Sequence, residues 1–152
     1  MNNKGLIIFD FDGTLGDTRK TIVMTMQMTI RELQLPDRSE AACASTIGLP
    51  LAGCFMGIAE TITYLIDADD VEQAKPYPEP VLTTLKALHF EASQTLVVGD
   101  MSVDILMGAN AGAKTCGVTW GNGTREELAQ AGADYIIDRI EDLLEIVAAA
   151  RR

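Results

Sequence analysis

The sequence predicts an α/β domain in three layers, with a mainly parallel sheet and helices on both of its faces. Two apolar runs, residues 5–9 and 95–99, lack any alternation of polar and apolar positions, which is typical of strands buried on both faces. Segments with helical spacing of apolar residues separate these runs from further short apolar stretches. Because strands that alternate with helices favour parallel pairing through crossovers, this order predicts an open parallel sheet.

Local signals set the boundaries of the individual elements. Pro is favoured in the first turn of a helix, Gly just after its end, and a Thr followed three residues later by Glu forms a capping box. β-branched and aromatic runs indicate short strands. On these grounds we predict helices at 18–34, from 79 or 80 to 89, at 103–111, 125–131 and 140–150, and strands at 5–9, 61–66, 95–99, 114–119 and 135–137.

Composition limits the classes of function that the chain can have. Its 152 residues suit one domain with a small appendage, 47% are apolar, and the net charge is −10. Nucleic acids and anionic membranes need a basic face, so neither is an expected partner. Three cysteines without a CxxC pair, and an N-terminal apolar run too short for a secretory leader, predict reduced thiols and a cytoplasmic location.

Acidic residues follow the two clearest strands at the point where each strand ends. Asp10 follows the first, Asp100 follows the second, and Asp104 lies one helical turn beyond Asp100, while Lys75 precedes a predicted helix. Ligands of open α/β sheets bind at the carboxyl ends of the strands. Clustered carboxylates need a neutralising partner, and carboxylate oxygens with water are the ligands that Mg²⁺ prefers, so we expect a Mg²⁺ site there.

The spacing in the segment DFDGT suggests separate roles for its two acids. Asp10 on the strand is rigidly placed, as a nucleophile should be, whereas Asp12 on the turn can reach toward a leaving group. Gly13 permits a tight turn, and with Thr14 it can offer N–H groups to an anion. The turn is therefore a predicted phosphate-binding segment.

Three linked motifs resemble those of the haloacid dehalogenase-like superfamily. DFDGTLGDT at 10–18 is similar to its first motif, KPYPEP at 75–80 to its lysine motif, and VVGDMSVDI at 97–105 to its acidic motif. IGLPL at 47–51 and the segment at 117–138 resemble the phosphoglycolate phosphatase-like subgroup. The resemblance implies a Rossmann-like core at 1–16 and 61–152, with residues 17–60 as the remnant of a helical cap.

The resemblance implies a Mg²⁺-dependent phosphatase that hydrolyses a small phosphorylated metabolite through an aspartyl-phosphate. Asp10 would be the nucleophile, Asp12 the general acid and base, and Lys75 a charge-balancing catalytic and phosphate-binding residue. Mg²⁺ would bind Asp10, the backbone carbonyl of Asp12, and Asp100, with Asp104 steadying a bound water. The dehalogenases of the superfamily lack the second acid, since halide leaves without a proton, so Asp12 favours phosphate transfer.

Two other functions stay open at this point. The first is a catalytically impaired or non-catalytic binding or regulatory protein that keeps the fold. The second is a sugar phosphomutase, which would return the phosphoryl group to a bound sugar. Net release of phosphate from simple esters distinguishes the phosphatase from both.

One motif of the superfamily is missing from the sequence. A strand that ends in Ser or Thr should lie between the first motif and the lysine motif, but Ser45, Thr46, Thr61 and Thr63 all stand in the wrong context. The shortfall equals most of a cap plus one strand–helix unit, with a join between Pro50 and Ile58. Three explanations of this shortfall are open. The sequence omits some residues of the protein, the deletion is natural or engineered, or the protein has a compact, altered fold. If the deletion is real, strand 61–66 pairs directly with strand 5–10, or an open edge invites self-association.

Overall fold

The computed structural model describes residues 5–32, 37, 39–44 and 64–150. Four strands form the sheet: β1 at Leu6–Phe9, β2 at Thr95–Gly99, β3 at Lys114–Val118 and β4 at Tyr135–Ile137. The helices are α1 at Arg19–Glu32, α2 at Glu40–Ala44, α3 at Glu79–Leu88, α4 at Ser102–Asn110, α5 at Arg125–Gln130 and α6 at Leu143–Ala150.

The sheet is parallel throughout, with the strand order β1-β2-β3-β4. Ile8 pairs with Val97 and Val98 pairs with Cys116, so the carboxyl ends of the central strands meet at one edge of the sheet. The predicted parallel sheet is confirmed. Because every strand ends at this edge, the loops that carry the acids are brought together there.

Two apolar clusters on opposite faces of the sheet confirm the three layers. On one face, Val97 packs with Val81 of α3 and Met107 of α4. On the other face, Val98 and Cys116 pack with Leu143, and Ile146 of α6 lies against the same cluster. Alternate residues of β2 serve the two clusters, and all five of its residues are buried, which explains why its sequence shows no polar alternation.

The helix boundaries agree closely with the local signals in the sequence. At α5 the hydroxyl of Thr124 accepts the Glu127 N–H at 3.2 Å, while the Glu127 carboxylate accepts the Thr124 N–H at 2.8 Å. These reciprocal bonds form the predicted capping box. Helix α3 begins at Glu79 and ends before His89, which takes a left-handed conformation at φ 56°.

The predicted strand at 61–66 is wrong over the part that the structure describes. Residues 64–66 have no regular structure, and residues 61–63 lie outside the described residues. Both Tyr64 and Leu65 are exposed, at 38% and 51%. Because residues 64–66 have no ladder partner among the described strands, the β-branched and aromatic composition of the segment did not suffice for a strand there. Among the described strands, β1 pairs with β2 alone.

The segment between the first motif and the lysine motif holds two described α-helices and a short 3₁₀ helix at Ala68–Asp70. Helix α1 matches the predicted helix at 18–34 up to Glu32, and residues 33 and 34 lie outside the description. Helix α2 was not predicted, because its five residues are too few for a periodic pattern. Of the cysteines, Cys43 and Cys116 are buried, and Cys54 falls outside the described residues. Within the described residues, no helix has the length and apolar character needed to span a membrane.

Candidate active site

Three predicted acids converge at the carboxyl edge of the sheet. Asp10 follows β1, Asp100 follows β2, and Asp104 lies in the first turn of α4. One carboxylate oxygen from each lies within 4.8 Å of the others. The Asp10 N–H donates to the Val98 carbonyl at 2.8 Å, which continues the ladder between β1 and β2 past the end of the strand. The backbone of Asp10 is therefore fixed by the sheet itself.

Lys75 joins this cluster from the loop before α3. Its ammonium pairs with Asp10 Oδ1 and lies 2.7 Å from Asp104 Oδ1. Burial by itself lowers the pKa of Lys75, but attraction to Asp104 and Asp10 outweighs that effect and raises it above the ordinary value. The lysine stays protonated at any pH at which the domain would work.

Asp104 is the most enclosed of the acids that contact Lys75. Its side chain is 2% exposed, and its Oδ2 accepts the Met101 N–H at 3.0 Å. Burial raises the pKa of Asp104, Lys75 lowers it, and repulsion from Asp10 raises it further, with a net upward shift. Its Oδ1 is buried and accepts no hydrogen bond of ordinary geometry from the described residues, so its contact with Lys75 is an ion pair.

Asp100 is held by a loop that the sequence analysis did not single out. Its Oδ2 accepts two hydrogen bonds from Asn122, from the backbone N–H at 2.6 Å and from the side-chain amide at 3.0 Å. Burial raises the pKa of Asp100, and these bonds only partly offset that rise. The available signal was the Gly-Asn-Gly sequence at 121–123, which follows a strand at the edge where ligands bind.

The turn after β1 has the predicted glycine conformation but not the predicted free donors. Gly13 adopts φ 88°, a left-handed conformation that favours glycine. Its N–H donates to the Gly16 carbonyl at 2.8 Å, and the Thr14 N–H donates to the Phe11 carbonyl at 3.2 Å. Closing so tight a turn uses both N–H groups internally. In this geometry neither Gly13 nor Thr14 has a free backbone N–H for the phosphate-binding role that was predicted for them.

Asp12 is not part of this cluster and is oriented by a different partner. Its Oδ1 accepts the Thr18 hydroxyl at 2.7 Å. The carboxylate of Asp12 is not in the acidic group formed by Asp10, Asp100 and Asp104. This separation agrees with distinct roles for Asp10 and Asp12, and the contribution of the Asp12 carbonyl to a metal site stays a prediction.

Trp120 connects the loop after β3 to the turn after β1. Its indole N–H donates to the Thr14 carbonyl at 2.9 Å, although 106 residues separate the two in sequence. The Thr14 hydroxyl lies 3.4 Å from Asp100 Oδ1 and completes the contact between the turn and the second acid. These contacts hold the predicted nucleophile loop against the predicted metal site.

The acidic cluster fits a divalent cation in its charge and in its donor atoms. Three carboxylates lie together, and the described residues place one ammonium, that of Lys75, against two of them, so a cation would offset charge that Lys75 leaves uncompensated. All the donors are oxygens, which suits Mg²⁺, whose ligand oxygens lie about 2.1 Å from the ion. The buried Asp104 Oδ1 accepts no ordinary hydrogen bond from the described residues and contacts Lys75 through an ion pair, so it adds negative charge at the candidate cation site.

Comparison with known protein families decides the family. A family model described as haloacid dehalogenase-like hydrolase matches residues 7–60 and 54–118. The chain belongs to the haloacid dehalogenase-like hydrolase family. The resemblance stated from the three motifs is therefore confirmed, and the site lies where those motifs meet.

Curated relatives of the chain include phosphatases. It is 44% identical over 88 residues to Pyrophosphatase PpaX of Anoxybacillus flavithermus, a match that covers 58% of this chain and 41% of the relative. The matches to the first three relatives cover 39% to 45% of their lengths. The chain also aligns with Probable phosphatase IndB of Dickeya dadantii at 28% identity over 218 residues, across 97% of this chain and 94% of the relative.

The alignment with IndB bears on the missing strand motif. It runs over 218 positions, whereas 97% of this 152-residue chain is about 147 residues, so about 70 positions have no counterpart in this chain. Both proteins are covered almost to their ends, and the unmatched positions therefore lie inside the alignment. The family model likewise matches in two segments, 7–60 and 54–118, which overlap at residues 54–60.

Solved structures with the same fold come from several bacteria. A structure described as a predicted phosphoglycolate phosphatase from Haemophilus somnus matches with a TM-score of 0.78 at 19% identity, covering 97% of this chain and 99% of that one. A hydrolase from Pseudomonas syringae matches with a TM-score of 0.71 at 18% identity, covering 96% of this chain and 98% of that one. At this identity the likeness establishes the fold.

Proposed function

We propose that this chain is a Mg²⁺-dependent phosphatase that hydrolyses a small phosphate monoester through an aspartyl-phosphate on Asp10. The observation that carries the proposal is the convergence of Asp10, Asp100, Asp104 and Lys75 at one edge of the sheet. Their common position supports a shared chemical task better than four separate structural tasks. The proposal keeps residues 1–16 and 61–152 as the catalytic core and residues 17–60 as a cap remnant.

The first half of the reaction transfers the phosphoryl group to the protein. A carboxylate oxygen of Asp10 attacks phosphorus, and the bond between phosphorus and the ester oxygen breaks. Since Lys75 contacts Oδ1, we assign the attack to Oδ2. The protonated Asp12 carboxyl gives its proton to the departing ester oxygen, which leaves as an alcohol. Thr18 keeps Asp12 oriented during this transfer.

The second half of the reaction regenerates the acid. A water molecule attacks the phosphorus of the aspartyl-phosphate, Asp12 takes a proton from that water, and inorganic phosphate leaves Asp10. Lys75 balances the negative charge that accumulates near Asp10. Mg²⁺ held by Asp10, the backbone carbonyl of Asp12 and Asp100, with Asp104 steadying a bound water, would supply positive charge to the phosphoryl oxygens, which is the main contribution that phosphoryl transfer requires.

Two substrate classes have support. A simple phosphate monoester follows from the motifs and from the phosphatase relatives, whereas inorganic pyrophosphate follows from the 44% identity to Pyrophosphatase PpaX. Phosphate release from p-nitrophenyl phosphate, phosphoglycolate and pyrophosphate, each with Mg²⁺ and then with EDTA, ranks the two classes. We expect release that depends on Mg²⁺ in at least one case.

Replacement of the nucleophile tests the proposal directly. Asp10→Asn keeps the shape of the side chain but removes the attacking charge, so we expect phosphate release to fall by about 1000-fold or more. Asp17→Asn is the matched control, because Asp17 follows the same turn and is exposed. An Asp10→Asn protein as active as the parent would rule out the proposed phosphatase reaction on Asp10. Mg²⁺ binding without turnover favours the binding protein, and phosphate moved within a sugar phosphate without net release favours the mutase.

A further inference from the structure

The loop at 120–123 encloses Asp100 in a way that the proposed reaction does not explain. Asp100 is 1% exposed, and Asn122 directs two N–H groups at the same oxygen, Oδ2. The Gly123 N–H donates to the Asp100 carbonyl at 3.1 Å. Both the backbone and the side chain of Asp100 are thus bound by one short loop.

The two glycines of this loop are required by its closeness to Asp100. A Cβ on Gly121 would lie 2.3 Å from Asp100 Oδ2, and a Cβ on Gly123 would lie 2.2 Å from the Asp100 carbonyl oxygen. Neither approach leaves room for a side chain. The Gly-Asn-Gly sequence therefore places one functional side chain, that of Asn122, between two positions where the backbone itself packs on the acid.

The distribution of donors leaves the two oxygens of Asp100 unequal. Oδ2 accepts two hydrogen bonds at 2.6 Å and 3.0 Å, whereas Oδ1 has the Thr14 hydroxyl at a longer 3.4 Å. A carboxylate oxygen saturated by N–H donors is a poorer metal ligand than one whose lone pairs are free. The asymmetry makes Oδ1 the better ligand.

We infer that Asn122 is a positioning residue that turns Asp100 so that Oδ1 faces the cation site shared with Asp10 and Asp104. The inference rests on the proposed function, because it concerns the Mg²⁺ site of that reaction. Groups that orient metal ligands typically change metal affinity by about 10- to 100-fold when they are removed. The Asn122 backbone N–H survives substitution, so the lower end of that range applies to a change of its side chain.

The test compares side chains that separate hydrogen bonding from space filling. Asn122→Leu keeps the branching at Cγ without a donor, Asn122→Ala removes both, and Gln130→Ala deletes an exposed carboxamide at the end of α5 as the control. Calorimetric titration of the metal-free proteins with MgCl₂ measures affinity without turnover. We expect both Asn122 variants to bind Mg²⁺ about tenfold more weakly than the parent and the control to bind like the parent.

A second readout distinguishes orientation of the metal ligand from a general structural defect. Phosphate release is measured against rising Mg²⁺ concentration. For the Asn122 variants we expect the half-activating Mg²⁺ concentration to rise about tenfold, while activity at saturating Mg²⁺ returns close to that of the parent. A distorted fold would lower activity at every Mg²⁺ concentration, and circular dichroism monitors the fold independently.

Each result decides for or against the inference. If both the Leu and the Ala variant bind Mg²⁺ as tightly as the parent, the inference is overturned and the proposed function still stands. The same holds if the Leu variant binds like the parent and only the Ala variant binds more weakly. Activity that stays low at saturating Mg²⁺ also overturns it. If the parent itself binds no Mg²⁺, the proposed function and the inference fail together. If Leu does not fit the loop, Asn122→Ser should bind Mg²⁺ more tightly than Asn122→Ala, and equal affinities contradict the inference.

Discussion

Lys75 is the side chain on which the charge balance of the site depends. It is the one cation that the described residues place against Asp10 and Asp104, and about a third of its side chain, 36%, is exposed. Removing one member of such a group leaves the remaining charges to repel one another in a partly desolvated place. We therefore expect the lysine to contribute to folding as well as to the proposed reaction.

Replacing this lysine should affect both properties. For Lys75→Met we expect phosphate release to fall by about 100-fold or more, because charge compensation at the nucleophile is lost. The free energy of unfolding of the metal-free protein should fall by about 1–2 kcal/mol, a value reduced for the partial exposure of the side chain. Urea unfolding of Lys75→Met and of Lys86→Met, an exposed control on α3, measures this difference. Equal stability and turnover in all three proteins contradict the assigned role.

The sequence identified the acids but not the groups that hold them. Asp10, Asp100 and Asp104 were predicted to lie together, because each follows a strand or opens a helix at the same edge of the sheet. Asn122 and Trp120 were missed, since their partners lie 22 and 106 residues away. Neither residue type signals its partner, and only the return of the chain after β3 places them on the site.

At the scale of elements, helix α4 depends on a close approach to the sheet. Gly108 is buried against β2 and β3, where an added Cβ would lie 2.7 Å from Thr115 Cγ2 and 2.9 Å from Val97 Cβ. Helix propensity alone disfavours this glycine by about 1 kcal/mol relative to Ala. Packing therefore explains it better than local preference does.

Two adjacent substitutions in α4 separate packing from helix propensity. Gly108→Ala raises the propensity of the helix, whereas Ala109→Gly lowers it. We expect Gly108→Ala to lower the free energy of unfolding by about 1–3 kcal/mol, because the methyl group forces the helix away from the sheet. Ala109→Gly, on the exposed side of the same turn, should cost about 1 kcal/mol through propensity alone. Denaturant unfolding measures both. A stabilising Gly108→Ala would show that the helix can shift at little cost.

Asp134 connects the starts of β3 and β4. Its carboxylate accepts the Thr115 N–H at 2.9 Å and pairs with Lys114 at 2.6 Å. Burial opposes ionisation and raises the pKa of Asp134, but the bonds from Lys114 and Thr115 together outweigh it and lower that pKa below its ordinary value. A lowered pKa in the folded state means that the ionised form contributes stability.

The contribution of Asp134 should depend on pH in a definite direction. At neutral pH we expect Asp134→Asn to lower the free energy of unfolding by about 1–2 kcal/mol. That difference should persist above the unfolded pKa of about 3.9 and shrink as the pH falls through the lower folded value. Unfolding of parent and variant from pH 7 to pH 3 tests this, with Glu141→Gln, in an exposed pair, as the control. A difference that grows on acidification has the wrong sign.

At the scale of the whole molecule, the described strands leave β1 at the end of the sheet. All four of its residues are partly accessible, whereas every residue of β2 is buried. About 70 positions of the alignment with IndB have no counterpart in this chain, which agrees with the missing strand motif. An unpaired edge beside an apolar strand favours pairing with another chain.

Self-association and weak turnover are therefore the expected behaviour if the internal gap is real. Intact mass spectrometry first establishes whether the chain has the 16.4 kDa that its sequence requires. Light scattering after size-exclusion chromatography should then give a mass above that of a monomer, rising with protein concentration. A monodisperse, stable monomer with the turnover of a full phosphatase contradicts this expectation.

The sequence by itself determined the fold class, most element boundaries and the acids of the candidate site. These features depend on local pattern: buried parallel strands read as unbroken apolar runs, caps have fixed spacings, and acids at strand ends share one edge. Only the tertiary structure decided which oxygen of Asp100 is already occupied, that the turn N–H groups of Gly13 and Thr14 are used internally, and that residues 64–66 are not a strand. Each of these depends on partners distant in sequence or on the closure of a particular turn, and residue type alone does not specify them.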